Sequence, residues 1–139
     1  NIRSLYCDVS DKYSLHLLRE YLKEDIDIII DDASHIPDHQ LKTFSQMFKI
    51  LKSKGIYVIE ELDIYQSFPE SYNKNLDNTE SEIRNFLYQV KDKSLDIDKT
   101  INNKEILSLV ENIEWVKILR GSYVVNDKNV SEIAFIKKK

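Results

Sequence analysis

An α/β fold, with a mostly parallel sheet and a C-terminal antiparallel hairpin, is the class this sequence predicts. Three observations predict it. Apolar runs of strand type alternate with apolar stripes of helical spacing along most of the chain. The strongest run, DIDIIIDD at 25–32, is rich in β-branched side chains and ends in paired acids. Two late runs, 113–119 and 131–136, flank polar turn material at 126–129 and read as a hairpin.

The elements follow in order. Residues 2–7 form a short apolar run ended by Asp8 and read as a first strand. From Ser10 onward, Leu15, Leu18, Tyr21 and Leu22 fall on one helical stripe, with Ser10 or Asp11 as its cap. Ile26, Ile28, Ile29 and Ile30 make a strand expected to be buried on both faces. A helix from about Asp38 carries Leu41, Phe44, Met47, Phe48 and Leu51 at intervals of three and four. Lys52 to Gly55 would supply its cationic last turn and glycine stop. Residues 56–59 read as a second buried strand running into Glu60 and Glu61.

Residues 63–79 are polar and aromatic without a period, long enough for a lid or substrate loop. Residues 80–91 return to a helical stripe through Ile83, Phe86, Leu87 and Val90, and 104–110 reads as a short helix. In a sheet of this class ligands bind beyond the carboxyl ends of the strands. That rule singles out Asp8, residues 31–35 and residues 60–63.

Composition narrows the partners. The chain has 139 residues, 42% of them hydrophobic, enough for one domain with a single core. Charged residues make up 32%, both signs are mixed and the net charge is -4, so no basic stripe is present for nucleic acid or an anionic membrane surface. The single cysteine, Cys7, excludes an internal disulfide framework and a cysteine-based zinc site, and fits a reducing, cytoplasmic setting. No apolar run approaches the roughly 20 residues of a membrane span. The first residue is Asn1 rather than Met, which raises the expectation of a piece of a longer chain.

The chemistry concentrates at two strand ends. Asp31-Asp32-Ala33-Ser34-His35 follows the first, and Glu60-Glu61 follows the second, so adjacent parallel strands would deliver four carboxylates and an imidazole to one rim. Like charges so close repel, and a hard divalent cation such as Mg²⁺ relieves that repulsion with oxygen ligands. A histidine beside them suits proton removal from a hydroxyl near neutral pH. Taken singly, Asp32, Ser34 and Asp38 are ordinary caps or near-caps of the following helix, and His35 is an ordinary surface histidine. Both strand ends carrying paired acids is what shifts the balance.

The stretch DIIIDDASHIPDHQLKTFSQMFKILKSKGIYVIEEL, at 27–62, resembles the fourth-to-fifth-strand segment of S-adenosylmethionine (SAM)-dependent sugar O-methyltransferases of the macrocin and mycinamicin type and their cephalosporin-hydroxylase-like relatives. Their pattern is DDGSH, a helix with EH and F, PGG, a strand and an ED pair. Cys7-Asp8-Val9-Ser10-Asp11 resembles their turn after the third strand, and the terminal hairpin resembles their sixth and seventh strands. The resemblance implies a Rossmann-like fold, SAM and a divalent cation such as Mg²⁺ as cofactors, and a sugar or other natural-product hydroxyl as acceptor. It implies Asp32, Glu60 and Glu61 as metal ligands, His35 as base, Asp8 and Asp31 on the cofactor side, and Tyr65 in the substrate loop with Phe68 and Tyr72. Ala33 stands where the family has glycine, Glu61 where it has aspartate, and Ser53-Lys54-Gly55 where it has PGG.

The family's glycine-rich loop after the first strand has no counterpart here, because the only glycines are Gly55 and Gly121. The resemblance therefore implies an incomplete methyltransferase fold lacking its first two strands. In the family order three-two-one-four-five-seven-six, the missing strands lie between the third and the fourth. Three expectations follow for that gap: more sequence upstream, a shift of residues 2–7 beside the strand at 25–32, or another chain filling it. A truncated or non-catalytic methyltransferase-like module is the alternative function. A phosphatase or receiver-like acidic site is a third reading. Homo-oligomer formation is left open by the residues.

Overall fold

In the computed structural model the described residues are 2–23, 25–64, 68, 82–95, 104–125, 128–129 and 132–139. Among them, four strands form one sheet: β1 (Ile26–Asp31), β2 (Leu51–Ile59), β3 (Ile113–Arg120) and β6 (Glu132–Lys138), in the order β1-β2-β6-β3. A two-stranded ribbon, β4 (Val124–Val125) and β5 (Lys128–Asn129), extends the turn between the last two. The helices are α1 (Lys12–Leu22), α2 (Pro37–Met47), α3 (Glu82–Asp92) and α4 (Lys104–Val110), and α2 runs on into a 3₁₀ turn at Phe48–Ile50.

The sheet is mixed. β1 and β2 are parallel, whereas β6 is antiparallel to both β2 and β3. The parallel character expected from the sequence resides in β1 and β2, and the hairpin expected at the C-terminus supplies the other two strands. The core is built from one face of this sheet and the apolar sides of α2, α3 and α4, with Phe44, Phe48, Tyr57 and Phe86 at its centre. The helical periods read from Leu41, Phe44, Met47 and from Ile83, Phe86, Leu87 are thus the faces that are buried.

Four local expectations need correction. Residues 2–7 do not form a strand: they are largely exposed and take no place in the sheet, since so short a run gains little without a neighbouring strand. β1 is not buried on both faces. Ile28 and Ile30 are 60% and 61% exposed, because β1 is an edge of the described sheet and no helix among the described residues covers that side. On α1, Leu15 is buried and Leu18 packs on the core, but Tyr21 and Leu22 face solvent. The cap there is Asp11, whose carboxylate accepts from the Tyr13 and Ser14 amides.

Lys52 to Gly55 is not a helix stop. β2 already begins at Leu51, and these residues form an irregularity in it, since Ile26 pairs with Leu51 but Ile28 pairs with Ile56. Lys54 takes the left-handed conformation within it (φ 67°). Gly55 is required for close approach: a Cβ there would stand 2.7 Å from Leu51 Cγ, 2.9 Å from the Lys52 carbonyl and 3.0 Å from the Asp27 carbonyl.

Candidate functional site

The register of the parallel pair sets the site. Asp31 lies opposite Ile59, so Asp32 and Glu60-Glu61 leave the sheet side by side at the carboxyl ends of β1 and β2. The Glu60 amide donates to the Asp31 carbonyl at 3.1 Å, which extends the pairing one step beyond the strands. From the other side, Gln40 on α2 donates through Nε2 to the Glu60 carbonyl at 3.0 Å. The two strand ends and the first turn of α2 are thereby fixed to one another.

His35 stands between the two acidic ends. Its Nε2 lies 3.6 Å from Asp32 Oδ1 and 3.4 Å from Glu61 Oε2, and its side chain is mostly shielded while both carboxylates keep substantial exposure. His35 and Glu61 both adopt left-handed backbone conformations, with φ 55° and 53°. For residues other than glycine this costs on the order of 1 kcal/mol each and persists where the surroundings impose it. Of the site residues expected from the sequence, Asp32, His35 and Glu61 are brought together. Glu60 is half-buried beside them and is held through its main chain.

Asp31 points elsewhere. Its carboxyl is buried, and burial pushes its pKa up to about 6 against the opposing pull of a Tyr57 hydrogen bond, the Ala33 amide and His35. The same burial, with the Asp31 charge beside it, pushes the Tyr57 phenol well up. A pocket of about 280 Å³ adjoins this pair, lined in part by Cys7, Val9, Ile29, Asp31, Ala33 and Tyr57. Asp8, between two of those residues, is exposed and engages Ser10 through its amide and hydroxyl, which lower its pKa. Tyr65 and Tyr72 lie outside the described residues, as does most of 63–79; Phe68 is half-buried.

Carboxylate oxygens of this kind suit a hard divalent cation. Among the described residues, however, no group of three or more His, Cys, Asp and Glu side chains is gathered as a ready metal shell. Asp32 and Glu61 turn toward the imidazole instead. The donor chemistry fits, while the side-chain arrangement is that of two carboxylates facing one imidazole.

Around the rim, sequence reasoning missed His39 and Glu132, and Ser34 and Asp38, expected as caps or near-caps of α2, have other partners. Ser34 Oγ and His39 Nδ1 are joined at 2.9 Å, so α2 starts without a side-chain cap: Ser34 bonds His39, and Asp38 pairs with Lys42. Glu132 is fully buried and carries Arg84, Arg120 and Tyr88 on its carboxylate. A signal for it existed, because Glu132 shares the alternation of Ala134 and Ile136 and therefore falls on the buried face of β6.

The class that fold and rim define is a methyltransferase-like α/β fold. The solved structure of MycE methyltransferase from the mycinamycin biosynthetic pathway, in complex with Mg and SAH, superposes with a TM-score of 0.62 at 21% identity over 98% of this chain and 32% of that one. A second structure of MycE, with Mg, SAH and mycinamycin VI, gives 0.61 at 22% identity over 96% of this chain and 31% of that one. Sequence similarity is higher over shorter stretches. The chain is 41% identical over 61 residues to 8-demethyl-8-alpha-L-rhamnosyl tetracenomycin-C 2'-O-methyltransferase of Streptomyces olivaceus, covering 44% of this chain and 16% of that protein. It is 48% identical over 46 residues to L-olivosyl-oleandolide 3-O-methyltransferase of Streptomyces antibioticus, covering 33% of this chain and 11% of that protein. No protein-family model matches the chain. The resemblance to sugar O-methyltransferases read from residues 27–62 is thus borne out, for a chain that spans a small part of these relatives' length.

Proposed function

We propose that this chain carries the acceptor-side half of a SAM-dependent, divalent-metal-assisted O-methyltransferase acting on a hydroxyl of a sugar or glycosylated natural product. The observation that carries the reading is the convergence of Asp32 and Glu61, from the ends of two parallel strands, on His35. Asp32, Glu60 and Glu61 are the residues that would hold the cation, which when bound lowers the pKa of a coordinated hydroxyl. His35 takes the proton of the acceptor hydroxyl, and the carboxylates beside it stabilise the imidazolium that results. The pocket that Asp31, Asp32, Cys7 and Val9 help to line supports a cofactor side next to the acidic rim, toward Asp8. At about 280 Å³ it lies near the lower end of the roughly 300–1,000 Å³ of small-molecule sites. Tyr65 would lie in the substrate loop, where aromatic faces stack on sugars.

A second reading is favoured by one specific observation: Gly55 and Gly121 are the only glycines, and Gly55 is committed to β2, so these residues offer no glycine-rich cofactor loop. On that reading the chain is a methyltransferase-like module without its own SAM site. Calorimetric titration of SAM into the folded chain, with and without Mg²⁺, tests the second reading: micromolar binding, about -8 kcal/mol, sinks it, and no binding supports a truncated or non-catalytic module.

A further inference from the structure

The Glu60-Glu61 turn is held from behind by a buried charge cluster that the reaction itself does not need. Glu132 Oε2 accepts from Arg84 Nε at 2.7 Å, and Oε1 accepts from Arg84 Nη2 at 2.9 Å, Arg120 Nε at 2.7 Å and the Tyr88 hydroxyl at 2.8 Å. Two arginines from different elements thereby fix the first residue of β6: Arg84 comes from α3, and Arg120 faces Glu132 across the β3–β6 pair. Charge-assisted bonds of this number leave the carboxylate little freedom.

The main chain of the same residue reaches the rim. The Leu62 amide donates to the Glu132 carbonyl at 3.0 Å, and the Glu132 amide donates to Asp63 Oδ1 at 2.9 Å. The β2–β6 ladder has its last pair at Ile59 and Ala134, and these two bonds carry the attachment to β6 on to residues 62–63 after the chain has turned. On the other side of the turn, Glu60 is tied to Asp31 and Gln40. Glu61 sits between the two anchors in a left-handed conformation, with its carboxylate aimed at His35.

We propose that Glu132, locked by Arg84, Arg120 and Tyr88, is a positioning residue that acts through Leu62 and Asp63 to hold Glu61 facing His35. This rests on the metal-assisted reading above, and deepens it by naming what sets the geometry of one carboxylate. A cluster that served stability alone would be indifferent to the backbone of Glu61.

The test uses the full chain and three variants, Glu132→Gln, Asp63→Ala and Asp63→Asn, with Mn²⁺ affinity measured by electron paramagnetic resonance well below each variant's melting temperature. Glu132→Gln and Asp63→Ala are expected to weaken Mn²⁺ binding by about tenfold or more, as removal of a supporting partner behind a metal ligand does. Asp63→Asn keeps the acceptor for the Glu132 amide and is expected to stay close to the parent chain. A readout free of metal runs alongside: the amide exchange rate of Leu62 and the backbone coupling of Glu61, which reports its φ. Both are expected to change in Asp63→Ala and to be retained in Asp63→Asn. Unchanged Leu62 exchange and Glu61 coupling in Asp63→Ala overturn the proposal, even if Glu132→Gln fails to fold. A parent chain that binds no Mn²⁺ sinks the metal-assisted reading instead, and leaves the positioning claim to be decided by those backbone readouts.

Discussion

The Tyr57 hydroxyl donates to Asp31 Oδ2 across 3.4 Å, joining two neighbouring parallel strands one residue below the acidic rim. The same ring meets Phe44 edge-on at 5.3 Å, so Tyr57 connects the α2 side of the core to the polar end of the sheet. An apolar body with a polar tip is what that position demands.

Replacing Tyr57 by Phe keeps the ring contacts and removes the donor. The buried Asp31 carboxyl is then left with less support, at a cost of about 1 kcal/mol, the usual worth of a single hydrogen bond. Denaturant unfolding of Tyr57→Phe at neutral pH measures it. A variant as stable as the parent would mean that this long bond contributes nothing and that the Ala33 amide alone satisfies Asp31.

Gly55→Ala is expected to destabilise the chain by roughly 1–3 kcal/mol, the range for forcing atoms into filled space. Two of the three atoms a Cβ would meet are main-chain carbonyl oxygens of Lys52 and Asp27, which cannot rotate away as a flexible side-chain end would. The urea midpoint should therefore fall with the slope unchanged. Little change would show that the irregularity between β1 and β2 can open without loss.

Glu105 gives the chain an acid-sensitive tie. Burial alone would raise its carboxyl, but hydrogen bonds from Lys12, at 2.7 Å, and Lys49 outweigh it and hold the pKa down at about 2, against 4.5 for the free side chain. The folded chain thus binds this proton more weakly than the unfolded one. The stability gained is present above pH 4.5 and is lost as the pH falls through the window down to about 2. Unfolding midpoints across that window should drop in the parent chain. Glu105→Gln should be less stable at pH 7 and show a shallower acid slope; parallel curves for the two proteins would refute the tie between α4, α1 and the 3₁₀ turn.

How far the sequence revealed all this depends on the residue. The buried faces of α2 and α3 were legible because Leu41, Phe44, Met47 and Ile83, Phe86, Leu87 repeat at helical spacing. The isoleucines of β1 were not: a run of β-branched residues states what a strand would gain by burial, and says nothing of whether a neighbour is there to cover Ile28 and Ile30. Lys52 to Gly55 was misread because a glycine after lysines marks a helix end as readily as a crowded strand. At the rim, Asp32, His35 and Glu61 were legible from their places at strand ends. The left-handed backbones of His35 and Glu61, and the hold of Glu132 on Leu62 and Asp63, depend on chain segments far apart in sequence and could not be read from local pattern.

The backbone of His35 allows its chemical and conformational roles to be separated. His35→Ala removes the imidazole and also places a residue with no taste for φ 55° at that position, whereas His35→Asn removes the base but keeps a side chain that tolerates the left-handed region. The alanine variant is therefore expected to lose about 1 kcal/mol more stability than the asparagine variant. On the proposed reading, in a complete enzyme that contains these residues, both should lose methyl transfer by at least about a hundredfold, the lower end of what a positioned base contributes. Asparagine restoring stability but not turnover would assign His35 to chemistry. Asparagine restoring both would make it a conformational residue, and would move the search for the base to His39, which stands against Ser34 at 2.9 Å on the next turn of the chain.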